Sequence, residues 1–212
     1  MAAKKLPKKT ANAAGKSAKP EPKAELPVHA FASAAAFERW LRTHHASSAG
    51  IWLQLMKKAS GQPGVSYAEA LDIALSFGWI DGQTKTYDAN SWLRKFVPRG
   101  ARSIWSKINR DKALALIAEK RMQPAGLAQV ERAQKDGRWL AAYDSASKAK
   151  PSAEFAAALA ASPRAAAFFA TLNGANRYAV LFREKAPKKP ETRERKIREL
   201  IAMLEQSKKI HG

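Results

Sequence analysis

The chain has 212 residues, 46% hydrophobic and 26% charged, with 11 glycines and 11 prolines. That is enough to bury one good core or two small ones, and it excludes a collagenous, coiled-coil or wholly disordered chain. Lys and Arg number 38 against 18 Asp and Glu, a formal charge of +20, which favours polyanionic partners such as nucleic acid or an anionic membrane surface and leaves the fold open. The absence of cysteine excludes disulfides, thiolate metal sites, iron–sulfur clusters and a cysteine nucleophile.

Residues 1–27 are rich in Lys, Ala and Pro, with Leu6 and Leu26 the only large apolar side chains besides Met1. Such a segment cannot offset its ordering entropy by burial, so a disordered basic tail is expected there. Its seven lysines against Glu21 and Glu25 carry about +5, so most of the basic excess belongs to the remainder. There is no apolar run of export-signal length near the start and none of about 18 residues anywhere, which predicts a cytoplasmic protein.

From Phe31 the pattern turns helical, with Phe37, Trp40 and Leu41 on one face and Ser33 as N-cap. IWLQLMKK from Ile51 alternates as a strand and ends in the turn Gly61 to Gly64. Ser66 and Glu69 form a capping box opening a helix that runs to Phe77 and stops at Gly78. Two β-type runs, Trp79 to Tyr87 and Trp92 to Val97, flank an Asp-Ala-Asn turn, which predicts a hairpin within a small antiparallel sheet.

Beyond that the chain reads as helix: from about Ser103 to Glu119, Pro124 to Lys135, Ser152 to Ala161, Pro163 to Leu172, Asn176 to Lys185 and Pro190 to Gln206. The expected class is α+β, with a domain over 28–144, a hinge-like link at 145–151 and a helical C-terminal domain over 152–208.

Signals for chemistry are sparse. His44-His45 lacks a third ligand at metal-binding spacing, so neither a metal nor a cofactor is expected. Nucleophile-elbow, phosphate-loop and dinucleotide-binding glycine motifs are absent from the sequence. Glu69 and Asp72 share a helix face, but capping already occupies Glu69. Asp81, set between Trp79-Ile80 and Gly82, is either an acid/base candidate in an apolar setting or the partner of a nearby arginine.

The strongest feature is the acid-free stretch between Asp88 and Asp111. Arg94, Lys95, Arg99, Arg102, Lys107 and Arg110 contribute about +6, interleaved with Trp92, Phe96 and Trp105, a composition suited to a phosphate backbone with stacked bases. Arg94, Lys95, Lys107 and Arg110 are the nucleic-acid candidates. Arg99 and Arg102 precede the helix expected from Ser103, where cations oppose the macrodipole unless they and the free amides hold a phosphate or carboxylate. In the alternative, these arginines pair internally and the tryptophans are core. A second basic run, Lys185, Lys188, Lys189, Arg193, Arg195, Lys196 and Arg198, reads as a solvated helix face rather than a membrane anchor.

The phrases FERWLRTHHASSAGIWLQLMKK, SYAEALDIALSFGWIDG, KFVPRGARSIWSKIN, RMQPAG and APKKPETRERKI together resemble the YdeI/OmpD-associated, or bacteriocin-protection, family from about Phe31 to Met203. The resemblance implies resistance to antimicrobial peptides or association with a porin, and supplies no catalytic residues or cofactor. Its motif positions Trp79, Asp81, Arg99, Ser103, Trp105 and Asn109, with Arg102, form the candidate ligand site. Two readings follow: a non-enzymatic binding or resistance protein engaging an anion or nucleic acid, and a small-molecule binder or enzyme with a pocket around Asp81, Arg99 and Trp105.

Overall fold

The computed structural model describes residues 25–212, so residues 1–24 of the expected tail lie outside the description. Among the described residues, β1 (Val28–Ala30) and β2 (Ile51–Met56) are joined by α1 (Ala34–His44), and α2 (Tyr67–Ser76) leads into β3 (Trp79–Thr86) and β4 (Ser91–Pro98). Six helices follow: α3 (Lys107–Ala118), α4 (Pro124–Lys135), α5 (Ala153–Ala160), α6 (Pro163–Thr171), α7 (Gly174–Lys185) and α8 (Pro190–Glu205). No described helix is long and apolar enough to cross a membrane.

The class is α+β, as expected, but the sheet is mixed rather than antiparallel, with strand order β1-β2-β4-β3. The hairpin β3-β4 and the β2-β4 pair are antiparallel; β1 adds at the edge, parallel to β2, with Val28 opposite Trp52. Parallel neighbours need a long crossover, and α1 supplies it. Three residues are too few to show an alternating pattern, so this strand left no trace in the sequence. The hairpin turn is fixed by Asp88, whose Oδ1 accepts from the amides of Asn90 (2.8 Å) and Ser91 (2.6 Å).

Helix starts follow local capping. Ser33, Ser66, Ser106, Ser152, Ser162 and Asn173 each accept an amide of the first turn. One boundary differs from expectation: α3 begins at Lys107 under Ser106, whose Oγ accepts from the Asn109 amide at 3.1 Å, and not at Ser103. Ser103 Oγ instead accepts from the Gly100 amide at 3.1 Å, closing a turn. The free first-turn amides expected beside Arg99 and Arg102 are therefore elsewhere.

Three apolar clusters form the interior. The inner sheet face (Ile51, Leu53, Leu55, Phe96) packs on Phe37 and Leu41 of α1 and on Ala70, Ile73 and Ala74 of α2. The opposite side of α2, Leu71 and Leu75, packs on Trp105, Ala113, Leu116, Val130, Ala133 and Trp139. A third cluster joins Phe155, Leu159, Ala165, Leu172, Val180, Leu181, Ile197, Leu200 and Leu204 of α5 to α8. A helix buried on two sides is apolar nearly all round, as YAEALDIALS is.

The end of α2 meets the start of α4 at backbone contact. Gly78 adopts φ of +75° and a Cβ there would lie 2.8 Å from the Ala125 carbonyl oxygen; a Cβ on Gly126 would lie 2.2 Å from that of Ser76. The Gln123 amide donates to Ser76 O at 3.1 Å. Gly126→Ala must push α4 away and is expected to destabilise by about 2–3 kcal/mol in urea denaturation, whereas Gly174→Ala, with nothing within 4 Å of its would-be Cβ, should stay within about 0.5 kcal/mol of wild type.

Candidate ligand-binding cleft

Pro98 ends β4, and residues 99–106 run on as an irregular loop. Two tryptophans draw this loop against the segment after α4: Trp105 and Trp139 are both buried, with ring centroids 4.9 Å apart at 67°, an edge-on packing favoured by the ring quadrupoles. The backbones then lace together. The Tyr143 amide donates to Trp105 O (3.0 Å), the Lys107 amide to Tyr143 O (2.8 Å), and Arg138 Nη1 to Ser103 O (2.6 Å). This laced pair is one wall.

The other wall is α7 with the segment leading into α8 and the first turn of α8, contributing Tyr178, Leu181, Phe182, Lys185, Pro187, Lys188 and Arg193. Tyr178 Oη donates to Asp144 O at 3.1 Å, and the Tyr143 and Phe182 rings meet perpendicularly at 5.3 Å. Between the walls lies a cleft of about 820 Å³, a size typical of small-molecule sites. Its apolar lining includes Ile104, Leu140, Ala141, Ala142, Ala149 and the aromatic rings; Leu140 is 83% exposed.

The polar lining is strongly cationic. Arg102, Lys107, Arg138, Lys185, Lys188 and Arg193 face the carboxylates of Asp136 and Asp144. Lys107 hydrogen-bonds Asp144 (2.7 Å) and holds its carboxyl below the usual range. Arg138 does the same to Asp136 through Nε at 2.8 Å. Arg102, Lys185, Lys188 and Arg193 have no carboxylate within ion-pair distance among the described residues. Burial raises the Tyr178 phenol above its ordinary value, keeping it protonated at neutral pH.

The residues singled out in the sequence are distributed over three places. Arg102 and Lys107 line the cleft. Arg99, Trp105 and Asn109 are buried behind its wall: the Arg99 guanidinium stacks 3.6 Å over Trp105, and burial lowers its pKa to about 10. Asp81 belongs to the sheet, where it accepts from Tyr67 Oη (2.8 Å) and pairs with Arg94; burial, then Asp81, pushes the Tyr67 phenol up to about 12. Trp79 is core and donates Nε1–H to His45 O at 3.1 Å.

Two of the four nucleic-acid candidates diverge and the other two have carboxylate neighbours. Arg94 and Lys95 are consecutive on a strand and point to opposite faces; Lys107 is engaged by Asp144, and Arg110 lies half-buried beside Asp111. In the second basic run, Arg195, Lys196 and Arg198 pair with glutamates on α8, the solvated face expected, whereas Lys185, Lys188 and Arg193 turn to the cleft. Sequence reasoning missed Arg138, Tyr143, Tyr178 and Phe182; positions this far apart along the chain carry no local pattern that would join them.

Because the Asp144 carboxyl is lowered by Lys107, the pair stabilises the fold above the ordinary carboxylate value, and that stabilisation is lost as pH falls through the folded-state one. Asp144→Asn is therefore expected to cost a few tenths to about 1 kcal/mol at pH 7. The gap from wild type should close in parallel denaturation curves as pH falls below the ordinary carboxylate value and through the lowered Asp144 one.

Two family models match the chain. Residues 29–129 match a Domain of unknown function (DUF8412), which contains the GWIDG and PRGARSIW motifs, and residues 148–207 match the family described as Bacteriocin-protection, YdeI or OmpD-Associated. No curated protein and no solved structure matches. The second match takes in the third apolar cluster and the α7–α8 wall of the cleft: over residues 148–207 the chain is similar to the YdeI/OmpD-associated family.

Proposed function

We propose that the protein is a non-enzymatic binding protein whose ligand is a small amphipathic anion held in the cleft. The observation that carries this reading is the set of four cationic side chains without carboxylate partners, Arg102, Lys185, Lys188 and Arg193, around an aromatic and aliphatic floor. Like charges gathered at one site repel, and an acidic group bound among them relieves that repulsion while the floor removes apolar surface from water. The cleft carboxylates are already bonded to cations and lowered in pKa, which makes them weak proton acceptors and favours binding over acid–base chemistry. A site built around Asp81 is less favoured, because Arg94 and Tyr67 already occupy that carboxylate.

The family description speaks of bacteriocin protection. A cleft of this charge is ill-suited to sequester cationic peptides, so any such role would run through an anionic molecule.

Isothermal titration with octyl phosphate in low salt tests the proposal. Saturable binding that weakens with salt is expected, and the Lys185→Ala/Lys188→Ala double variant and Phe182→Ala should each weaken it by roughly tenfold. Arg94→Ala/Lys95→Ala should leave it unchanged. Absence of saturable binding at millimolar ligand overturns the reading, as does tight, salt-steep binding of a DNA duplex abolished by Arg94→Ala/Lys95→Ala.

A further inference from the structure

Arg99 is 95% buried by its 5% exposure, yet its side chain is only half accommodated. Nη1 donates to Ile104 O at 3.3 Å, while Nε and Nη2 have no hydrogen-bond partner among the described residues. These two nitrogens form the side-on edge of the guanidinium, the edge whose parallel N–H bonds match the two oxygens of a carboxylate or phosphate. Beneath it, Trp105 Nε1 is also buried without an acceptor.

The surroundings sharpen the deficit. Arg99 and Arg138 are bound to the adjacent carbonyls of Ile104 and Ser103, so one short loop gathers two guanidinium groups. Asp136 serves Arg138. Asp81 is near enough to be felt electrostatically by Arg99 but is bonded to Arg94 and Tyr67. A buried cation with orphan donors costs more than almost any other interior arrangement, and each missing bond calls for an acceptor.

We propose that Arg99, through its Nε/Nη2 edge, is a binding site for a compact oxyanion beside the cleft wall. The oxyanion is either a free inorganic ion or the acidic end-group of a molecule in the cleft, since Ala101, Arg102 and Ile104, which flank Arg99, themselves line it. The site rests on orphaned donors behind the wall, so it stands or falls separately from the cleft reading.

The test is a titration of the ¹⁵N-labelled full chain with inorganic phosphate and, separately, octyl phosphate, following the Arg99 Nε–H and Trp105 Nε1–H resonances against sodium chloride of equal ionic strength. A saturable shift of both resonances is expected. Shifts with inorganic phosphate identify a free ion as sufficient, and shifts with octyl phosphate alone identify the end-group of a cleft ligand. Arg99→Lys keeps the charge and removes the side-on edge, so it should weaken the response at Trp105 at least about tenfold with the backbone spectrum otherwise preserved. Should Arg99→Lys fail to fold, selenate soaked into wild-type crystals gives the second readout, with an anomalous peak expected on Nε and Nη2. Resonances that move no more than in sodium chloride, or a water molecule on both nitrogens in the selenate soak, overturn the proposal, whatever Lys185 and Phe182 variants show for the cleft.

Discussion

The corner where α2 ends and α4 begins governs the front of the molecule. Gly126 admits Ser76 O to a distance at which a Cβ would overlap it, and Gly78 turns the chain at positive φ in the same place. From that corner the Gly78 carbonyl accepts the Arg99 amide at 3.0 Å, so the approach that packs the two helices also fixes where the cleft-forming loop begins. A bulkier residue at either glycine would shift three things together: α4, the strand β3 that follows Gly78, and the Arg99 loop.

The back wall obeys a different constraint. The four C-terminal helices enclose their own cluster around Phe155, Val180 and Leu204, and α7 offers the cleft Tyr178, Phe182 and Lys185, with Leu181 shared between cluster and cleft. Tyr178 hydroxyl to Asp144 carbonyl and Tyr143 ring to Phe182 ring tie the walls. Both ties join groups at the cleft itself, so the surface that would meet a ligand is also the surface that sets the spacing between the walls.

What was legible in the sequence was local. Ser33, Ser66 and Ser152 announced helices that do begin after them, and the Asp-Ala-Asn turn announced the hairpin, because capping and turn chemistry act over three or four residues. The acid-free stretch misled for the complementary reason. Its cations look unpaired along the chain, but Asp81 reaches Arg94 and Asp144 reaches Lys107 from outside it. Alternation on β4 then sends Arg94 and Lys95 to opposite faces. The helix expected from Ser103 fails on a choice between two serines three apart, which packing of Trp105 against Trp139 resolves in favour of Ser106. In the second basic run a helix-face reading suits Arg195, Lys196 and Arg198; it cannot anticipate that the turn before α8 brings Lys188, and the first turn of α8 brings Arg193, to the cleft that Lys185 of α7 also lines.

Part of the excess positive charge can therefore be located. On the outer side of α8 the arginines have glutamates one turn away, and such exposed pairs are nearly neutral in energy. In the cleft, Arg102, Lys185, Lys188 and Arg193 have no carboxylate within ion-pair distance among the described residues. A region that binds an anion there gains stability in proportion to the logarithm of ligand concentration over its dissociation constant. Because the gain requires both walls at once, it would act on the spacing between residues 29–129 and 148–207 rather than on either core. Were the proposed anion bound, its occupancy of the cleft and the relative placement of the two regions would be one equilibrium, coupled by these cations.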